Sequence, residues 1–357
     1  MRMECEVLNL DNNKKKKVTM KDIADKLNIS INAVSLALND RIGVSEDTRA
    51  LIIKTANEIG YFDVKNSNVS KNTKNICLII ESRYFRDISF YSKIILGIEN
   101  ECKKNGYDVI ANFLNTEDFK MPACIENKKV SGILLVGRIK DEYVKQIMVY
   151  SIPMVMVDHS SQLISTDAIL TQNITGAYMA TEYLLKKGHR NIGFCGDIDD
   201  SLSFKERWVG FYERLREFNT KESTSMEEIF KFSIVGPIEK YILTRNYSEL
   251  SKIVSNLKSL PSAWICSNDN TAICLYYALD ILGIKVPKEA SIIGFDDIDL
   301  CTIIKPHLTT IRVTKELMGE KAVKRLLWRI NNLEEPYEKI SLEVSIIERE
   351  SVNELRE

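Results

Sequence analysis

The spacing of apolar and polar positions divides this chain into a short helical front and a long body in which strands and helices alternate. Residues 18–62 form the front. Thr19 precedes an apolar face of Ile23, Ala24 and Leu27, and Asp22 stands three residues after it, which predicts a first helix with a capping box. Asn28-Ile29-Ser30 turns the chain. Ser30 then caps a second helix with Val34 and Leu38 facing inward, so Asn32, Ala33, Ser35 and Leu36 are expected to be exposed. Ser45 caps a third helix whose stripe is Ile52, Ala56 and Ile59 and whose stop is Gly60. Two helices joined by three residues, the second showing small and polar side chains, read as a helix-turn-helix. The same periodicity also suits a three-helix cap that merely packs on a neighbour.

From Asn75 onward, β-rich runs alternate with helical patterns, the signature of parallel α/β sheets. Strands are predicted at 75–80, 108–113, 132–136 and 153–157, with helices at 90–105, near Cys124 and at 141–149. A second set has strands at 191–195, 231–235, 263–266 and 291–294 and helices at 174–187, 203–218, 247–257 and 268–282. The polar stretch from Thr220 to Glu228 predicts no element, and the tail adds a helix at 315–330 and a strand at 339–348. Two such sets predict two similar lobes with a cleft between them. The fold class is therefore α/β: a three-helix head followed by a body of two doubly wound parallel-sheet lobes.

Charge separates the two readings of the head. Residues 14–74 hold twelve Lys and Arg against seven Asp and Glu, whereas the first thirteen residues carry −2 and Asn75–Glu357 carries −4, in a chain of net charge −1. Positive charge is gathered on the segment that would meet phosphates. Lys14–Lys17, in a basic arm spanning residues 1–17, would lie along a nucleic-acid backbone or form a solvated tail. The N-terminal run lacks a continuous apolar stretch and no run approaches the roughly 20 residues that span a bilayer, so a cytoplasmic protein without membrane contact is expected. No C-x-x-C pair occurs among the eight cysteines and the three histidines are far apart, so no metal site and no cofactor is expected.

Ligands of open α/β sheets bind beyond the carboxyl ends of the strands. Polar residues at those ends are Ser82, Asp158, Asp197, Asn268, Asp269, Asp296 and Asp297, with Arg207 in the first turns of a following helix. Aspartate, asparagine and arginine converging in a cleft suit bidentate bonding to neighbouring hydroxyls, as in sugars, and equally a purine or another polar metabolite. Enzyme motifs are missing: there is no phosphate-cradling glycine loop and no G-x-S-x-G elbow. Asp197, Asp199 and Asp200 start like a calcium loop, but Leu202 and Trp208 stand where its glycine and glutamate belong. Adjacent Asp296 and Asp297 should point to different sides of their strand end, which argues against a catalytic carboxylate pair.

The strings T-x-x-D-I-A (Thr19–Ala24), S-x-x-A-V-S-x-A-L-N (Ser30–Asn39), V-S-x-x-T-R (Val44–Arg49) and I-G-Y (Ile59–Tyr61) resemble the lactose/galactose-repressor (LacI/GalR) family of bacterial regulators. That resemblance implies a periplasmic-binding-protein-like body, a homodimer, a double-stranded operator and a small-molecule, sugar-like effector. The candidate DNA-contacting residues are then Thr19, Ser30, Ile31, Asn32, Ala33, Ser35, Leu36, Asn39, Thr48 and Arg49. S-x-x-x-R-x-x-G-F (Ser203–Phe211) places the family's effector arginine on Arg207, S-N-D its asparagine on Asn268, and G-F-D-D its aspartate on Asp296. Val157-Asp158 and Phe90-Tyr91 match a further cleft aspartate and an aromatic pair, so Asp158 and Phe90 complete the candidate effector set. For Asn268 a helix cap, and for Asp296 a turn cap, is the plainer reading. L-T-T-I (Leu308–Ile311) is a structural marker of the family. The family's crossing tail implies lobes of about 75–170 plus 302–331 and 171–301 plus 332–351. A regulator whose cleft is ligand-free or answers to a protein partner is the alternative. A free-standing solute-binding protein would need a signal peptide and no basic head.

Two departures from the pattern stand out. Leu36 replaces an arginine common in the family, which removes a guanine contact. The linker at 63–74 is a degenerate hinge: Asp63–Ser70 lacks the family's proline, alanine, arginine and leucine, and Ser70 stands at the wedge position. A weakly helical linker and a less kinked operator are expected, with Val69 the apolar residue near enough to substitute.

Overall fold

The computed structural model describes residues 18–38, 43–59, 61, 73–115, 119–218 and 226–355, in two compact units, Met1–Thr73 and Lys74–Glu357. The basic arm, Asn39, Gly60 and the linker over 63–72 lie outside the described residues.

In the first unit, α1 (Met20–Leu27), α2 (Ile31–Leu38) and α3 (Glu46–Glu58) enclose Ile23, Ala24, Val34, Ala37, Ile52, Ala56 and Tyr61. The capping box is formed: Thr19 N–H donates to Asp22 Oδ2 at 2.6 Å and Thr19 Oγ1 accepts from Asp22 N–H at 3.4 Å. Asn28, at φ 54°, ends α1 in the left-handed conformation that its short side chain tolerates. Ser30 Oγ accepts from Ala33 N–H at 3.1 Å and Ser45 Oγ from Thr48 N–H at 3.3 Å, each satisfying a donor at a helix start. The outward face of α2 is narrower than its sequence suggests. Ile31 and Asn32 are exposed, but Ala33, Ser35 and Leu36 are half-buried. Because α2 packs against both α1 and α3, its covered arc is wider than one stripe. Leu36 also folds over Gly43, where a Cβ would stand 2.9 Å from Leu36 Cδ1.

Among the described residues, the second unit holds two six-stranded sheets. The first runs β11 (Lys339–Leu342), β5 (Asp167–Thr171), β4 (Met154–Val157), β3 (Gly132–Val136), β1 (Asn75–Glu81), β2 (Asp108–Leu114). The second runs β12 (Ser345–Ile347), β10 (Thr309–Arg312), β9 (Ser291–Asp296), β8 (Ala263–Cys266), β6 (Ile192–Gly196), β7 (Ile234–Val235). Pairing is parallel except between β10 and β12. Helices cover both faces, so strands read as continuous apolar runs. In β1, Ile76, Leu78 and Ile80 join the core with α4 (Ile88–Lys104) and α13 (Lys315–Asn331). Cys77 and Ile79 face the other way, toward α5 (Ala123–Glu126) and α6 (Asp141–Met148). In the second lobe, α7 (Asn173–Lys186), α8 (Leu202–Phe218), α9 (Met226–Lys231), α10 (Glu239–Leu243), α11 (Tyr247–Ser255) and α12 (Asp269–Ile281) cover the sheet.

Several boundaries differ from the sequence reading. The run at 339–348 is two strands, β11 in the first sheet and β12 in the second. β10, expected with the first lobe in 302–331, belongs to the second sheet, and β11, expected with the second lobe in 332–351, belongs to the first. Lobe membership follows from long-range pairing, which periodicity does not record. The predicted strand at 231–235 begins as the end of α9 and shortens to Ile234–Val235. β5 was not predicted: its first residue, Asp167, is fully buried and receives Arg325 Nε at 2.8 Å and Arg329 Nε at 2.6 Å, which tie α13 onto the first sheet.

Candidate functional site

Residues at the carboxyl ends of strands from both lobes line one cavity with about 770 Å³ of unfilled space, part of it open to solvent. Arg83 and Tyr84 follow β1, Arg138 follows β3, and Asp158 and His159 follow β4. Asp200 and Ser201 follow β6, Asn268 follows β8, and Asp296 ends β9. Phe90 and Tyr91 of α4, Ser203, Phe204 and Arg207 of α8, and Glu239 and Leu243 of α10 complete the wall.

Arg207 is the centre of the second lobe's contribution. Buried, it donates from Nε to Asn173 Oδ1 at 3.0 Å, from Nη1 to the Ser267 carbonyl at 2.5 Å, and from Nη2 to Asp296 Oδ1 at 3.1 Å. Its guanidinium lies 3.7 Å from the centroid of the Phe295 ring, a desolvated cation–π contact. A guanidinium held on three sides and stacked on a fourth has lost its rotamer freedom before any ligand arrives. Asp296 is bent into place by the backbone, at φ 113°, a conformation that L side chains rarely adopt and that in folded proteins concentrates at functional sites. Lys315 Nζ donates to the Asp296 carbonyl and, at 3.1 Å, to that of Asp297. Burial pushes the Asp296 carboxyl above the usual carboxylate range, against the pull of Arg207 and Lys315. Burial also lowers the Lys315 ammonium.

Behind this layer, Asp269 is fully buried and accepts from Thr310 Oγ1 at 2.5 Å and Ile298 N–H at 2.9 Å. Burial, reinforced by the charge of Asp296, raises its pKa to about 7. Gly294 makes room for it, since a Cβ there would lie 2.1 Å from Asp269 Oδ1.

The first lobe is built differently. Asp158, at φ 60°, accepts from Tyr91 Oη at 3.2 Å, and the Tyr91 ring packs on Tyr84 and Phe90 at centroid distances of 4.6 and 5.0 Å. Tyr84 Oη accepts from Arg83 Nη2 and from Arg138 N–H, each at 2.9 Å. Gly137, at φ 71°, permits this turn, because a Cβ would come within 2.7 Å of the Tyr84 ring. Burial holds the Tyr84 phenol up at about 12 and, helped by Arg138, holds His159 down at about 4, so both are neutral near pH 7. From this lobe two arginines reach across the cleft mouth: Arg83 Nη1 to Asp200 Oδ1 at 3.5 Å, and Arg138 Nη1 to the Asp200 carbonyl at 2.7 Å. Together they form a clasp.

All five candidate cleft residues, Phe90, Asp158, Arg207, Asn268 and Asp296, lie along this cavity. Asn268 caps α12, accepting from Thr271 N–H at 2.8 Å, so the cap reading holds for a residue that also lines the cavity. Asp297 turns away, as expected, to Arg312 Nε at 2.6 Å and Arg349 Nη2 at 2.5 Å. Ser82 donates to the Leu114 carbonyl at 2.8 Å, and Asp197 closes a turn by accepting from Asp199 N–H at 3.2 Å. Sequence reasoning missed Arg83, Tyr84, Arg138 and Asp200 as wall residues. The strand-end rule contained the signal, since each lies within four residues of a strand's carboxyl end.

In the head, Thr19, Ser30, Ile31 and Asn32 are exposed, and Thr48 and Arg49 are half-buried. Thr48 Oγ1 lies 2.7 Å from Ser45 Oγ, and Arg49 Nη1 donates to the Ala37 carbonyl at 3.1 Å. Arg49 thereby ties α3 to the end of α2. Among the described residues no cluster of metal-ligating side chains occurs and no helix is long and apolar enough to cross a membrane.

Residues 19–62 match the bacterial regulatory proteins of the lacI family. Residues 73–232 match the periplasmic binding proteins and sugar binding domain of the LacI family, and residues 181–352 match a periplasmic binding protein-like domain. The HTH-type transcriptional repressor PurR of Pectobacterium carotovorum subsp. carotovorum (strain PC1) is 31% identical over 345 residues, covering 94% of this chain and 96% of that protein. The ribose operon repressor of Haemophilus influenzae is 29% identical over 348 residues, covering 95% and 99%. A LacI family transcriptional regulator from Enterococcus faecium with bound ribose superposes with a TM-score of 0.67 at 25% identity, over 79% of this chain and 100% of that one. The lac repressor dimer bound to operator and the anti-inducer ONPF shares the fold, with a TM-score of 0.64 at 22% identity over 95% and 100%.

Proposed function

The chain belongs to the lacI family of bacterial regulatory proteins and is a metabolite-controlled DNA-binding regulator; we propose that it is a homodimeric cytoplasmic repressor whose cleft takes a neutral, sugar-like effector. The observation that carries the effector class is the balance of the cavity wall. Three arginines, Arg83, Arg138 and Arg207, stand against four carboxylates, Asp158, Asp200, Glu239 and Asp296. Arg207 is already paired with Asp296, and Arg83 with Asp200. A strongly charged ligand seated on Arg207 or Arg83 would compete with one of these pairs, whereas hydroxyls can bond to their remaining lone pairs and N–H groups. Phe90 and Phe204 supply apolar wall for the C–H face of a ring. The ribose bound in the E. faecium regulator is of this class.

On the DNA side, two heads would read a near-palindromic operator with α2 in successive major grooves about 34–36 Å apart. Asn32 suits an adenine edge, Ser35 a base or phosphate, and Ala33 a thymine methyl. Leu36 cannot supply the guanine contact of an arginine. Effector binding changes lobe closure and so couples the cleft to the heads. Calorimetry of the full chain with pentoses, hexoses and nucleobases tests this reading. A pentose or hexose should bind, and Arg207→Ala should abolish the heat. Binding of nucleobases alone would reject the sugar class, and silence across the panel would favour a cleft without a sugar-like ligand.

A further inference from the structure

On the face of the first sheet turned away from α4 and α13, two thiols meet. Cys77 of β1 is fully buried, Cys124 of α5 is half-buried, and their Sγ atoms are 3.6 Å apart although 47 positions separate them in sequence. Asn112 of β2 points its amide at both sulfurs, with Nδ2 3.3 Å from Cys77 Sγ and 3.6 Å from Cys124 Sγ. That donor sits where negative charge on either sulfur would develop, and hydrogen bonding to the charged form favours it. The pair belongs to the core of Ile79, Ile125, Ile133 and Leu135, and neither cysteine lines the effector cavity.

We propose that Cys77 and Cys124 form a peroxide-reactive dithiol, a modification site in the first lobe separate from the effector cleft. Access assigns the order of events. The half-buried Cys124 meets the oxidant first, as its thiolate attacks one oxygen of a hydroperoxide, breaks the O–O bond and becomes a sulfenic acid while water or an alcohol leaves. Cys77 then attacks the Cys124 sulfur, the S–O bond breaks, and the Cys77 proton leaves with the hydroxyl as water. Two thiols and one hydroperoxide thus yield one disulfide and, with hydrogen peroxide, two waters. Burial pushes the Cys77 thiol well up and keeps it from the oxidant, and the Asn112 amide 3.3 Å from its sulfur favours the charge that develops there when it attacks Cys124. Closing from 3.6 Å to a bond length of about 2.05 Å requires a shift of about 1.5 Å, within reach of α5, a helix of a single turn. A second close pair in the same chain provides the contrast. Cys195 and Cys266 face each other across β6 and β8, but both are fully buried and no oxidant reaches them.

Full-length protein treated with hydrogen peroxide, alkylated and mapped by mass spectrometry should give a peptide pair joined through Cys77 and Cys124 that dithiothreitol separates. Cys195 and Cys266 should be recovered reduced. Cys124→Ser should remove the linked pair, and Cys77→Ala should leave a sulfenic acid on Cys124 that dimedone traps. Should Cys77→Ala fail to fold, the wild-type map and Cys124→Ser decide alone. Oxidation of Cys124 straight to its sulfinic acid, linkage to a different cysteine, or no change at either residue in folded wild-type protein overturns the proposal.

Discussion

The two walls of the cleft are made on different principles. In the second lobe, Arg207, Asp296, Asn268 and Asp269 are buried, bonded to one another or to backbone, and fixed by a left-handed aspartate and a stacked guanidinium. In the first lobe, Arg83 and Asp158 are only partly covered, and Arg83 and Arg138 extend to the opposite wall, Arg83 while also bonded to Tyr84 and Glu81 of its own lobe. A prewired wall provides recognition geometry at low entropic cost on binding, since its side chains are already immobile. A reaching wall is suited to report closure, because its contacts to Asp200 require the lobes to approach. On the proposed reading of the cleft, the second lobe would orient the effector and the first would carry the open–closed signal.

Arg207→Ala tests the prewired wall with the largest effect. Removing one partner of a buried ion pair costs about 3–5 kcal/mol, so the body should lose that order of stability in urea titrations and bind no effector. A loss below about 1 kcal/mol, the range of exposed pairs, would show the wall to be solvated. Asp269 offers the next test, through pH. Its carboxyl is raised from an ordinary 3.8 to about 7 by burial and by Asp296, so the folded state holds that proton more tightly than the unfolded chain. The resulting stabilisation is full below about pH 4 and is lost as pH rises through about 7. Relative to Asp269→Asn, wild-type protein should therefore lose stability across that window, with a slope of at most about 1.4 kcal/mol per pH unit in thermal melts. Parallel curves for the two proteins would place Asp269 in contact with water.

The sequence disclosed one wall far better than the other, for a physical reason. Arg207, Asn268 and Asp296 sit in local strings, S-x-x-x-R, S-N-D and G-F-D-D, because a fixed geometry at a strand end or helix start demands particular neighbours. Arg83, Arg138 and Asp200 act through length and reach across a gap, and nothing adjacent in sequence records which lobe they address. The same limit governs the fold. Capped helices such as α1 and runs such as Gly132–Val136 were legible from local chemistry. β5 was not, since a five-residue segment opening with a buried aspartate makes sense only beside Arg325 and Arg329 from the far end of the chain. The tail run looked continuous because β11 and β12 are both short and adjacent, yet they serve different sheets.

Changes away from the prewired wall should be smaller. Asn32→Ala should weaken operator binding by roughly 1–3 kcal/mol and relax one base position while leaving effector binding unchanged, as read by anisotropy on a set of mutated duplexes. An equal loss on every duplex would make Asn32 a backbone contact. Asp200→Asn in the clasp should cost no more than about 1 kcal/mol of effector affinity, because the pair is partly exposed, and should act mainly through faster release in stopped-flow. Slower release would reverse the roles assigned to the two walls.

In the proposed mechanism, a ligand seated on the Arg207 wall governs the head's grip on DNA. The decisive measurement is the affinity of the full chain for a duplex recovered by selection, with and without each member of a panel of pentoses and hexoses. At least one sugar should shift that affinity roughly tenfold in the native protein and leave a folded Arg207 variant unmoved. An affinity that no sugar changes, or a shift that survives loss of Arg207, would contradict that mechanism.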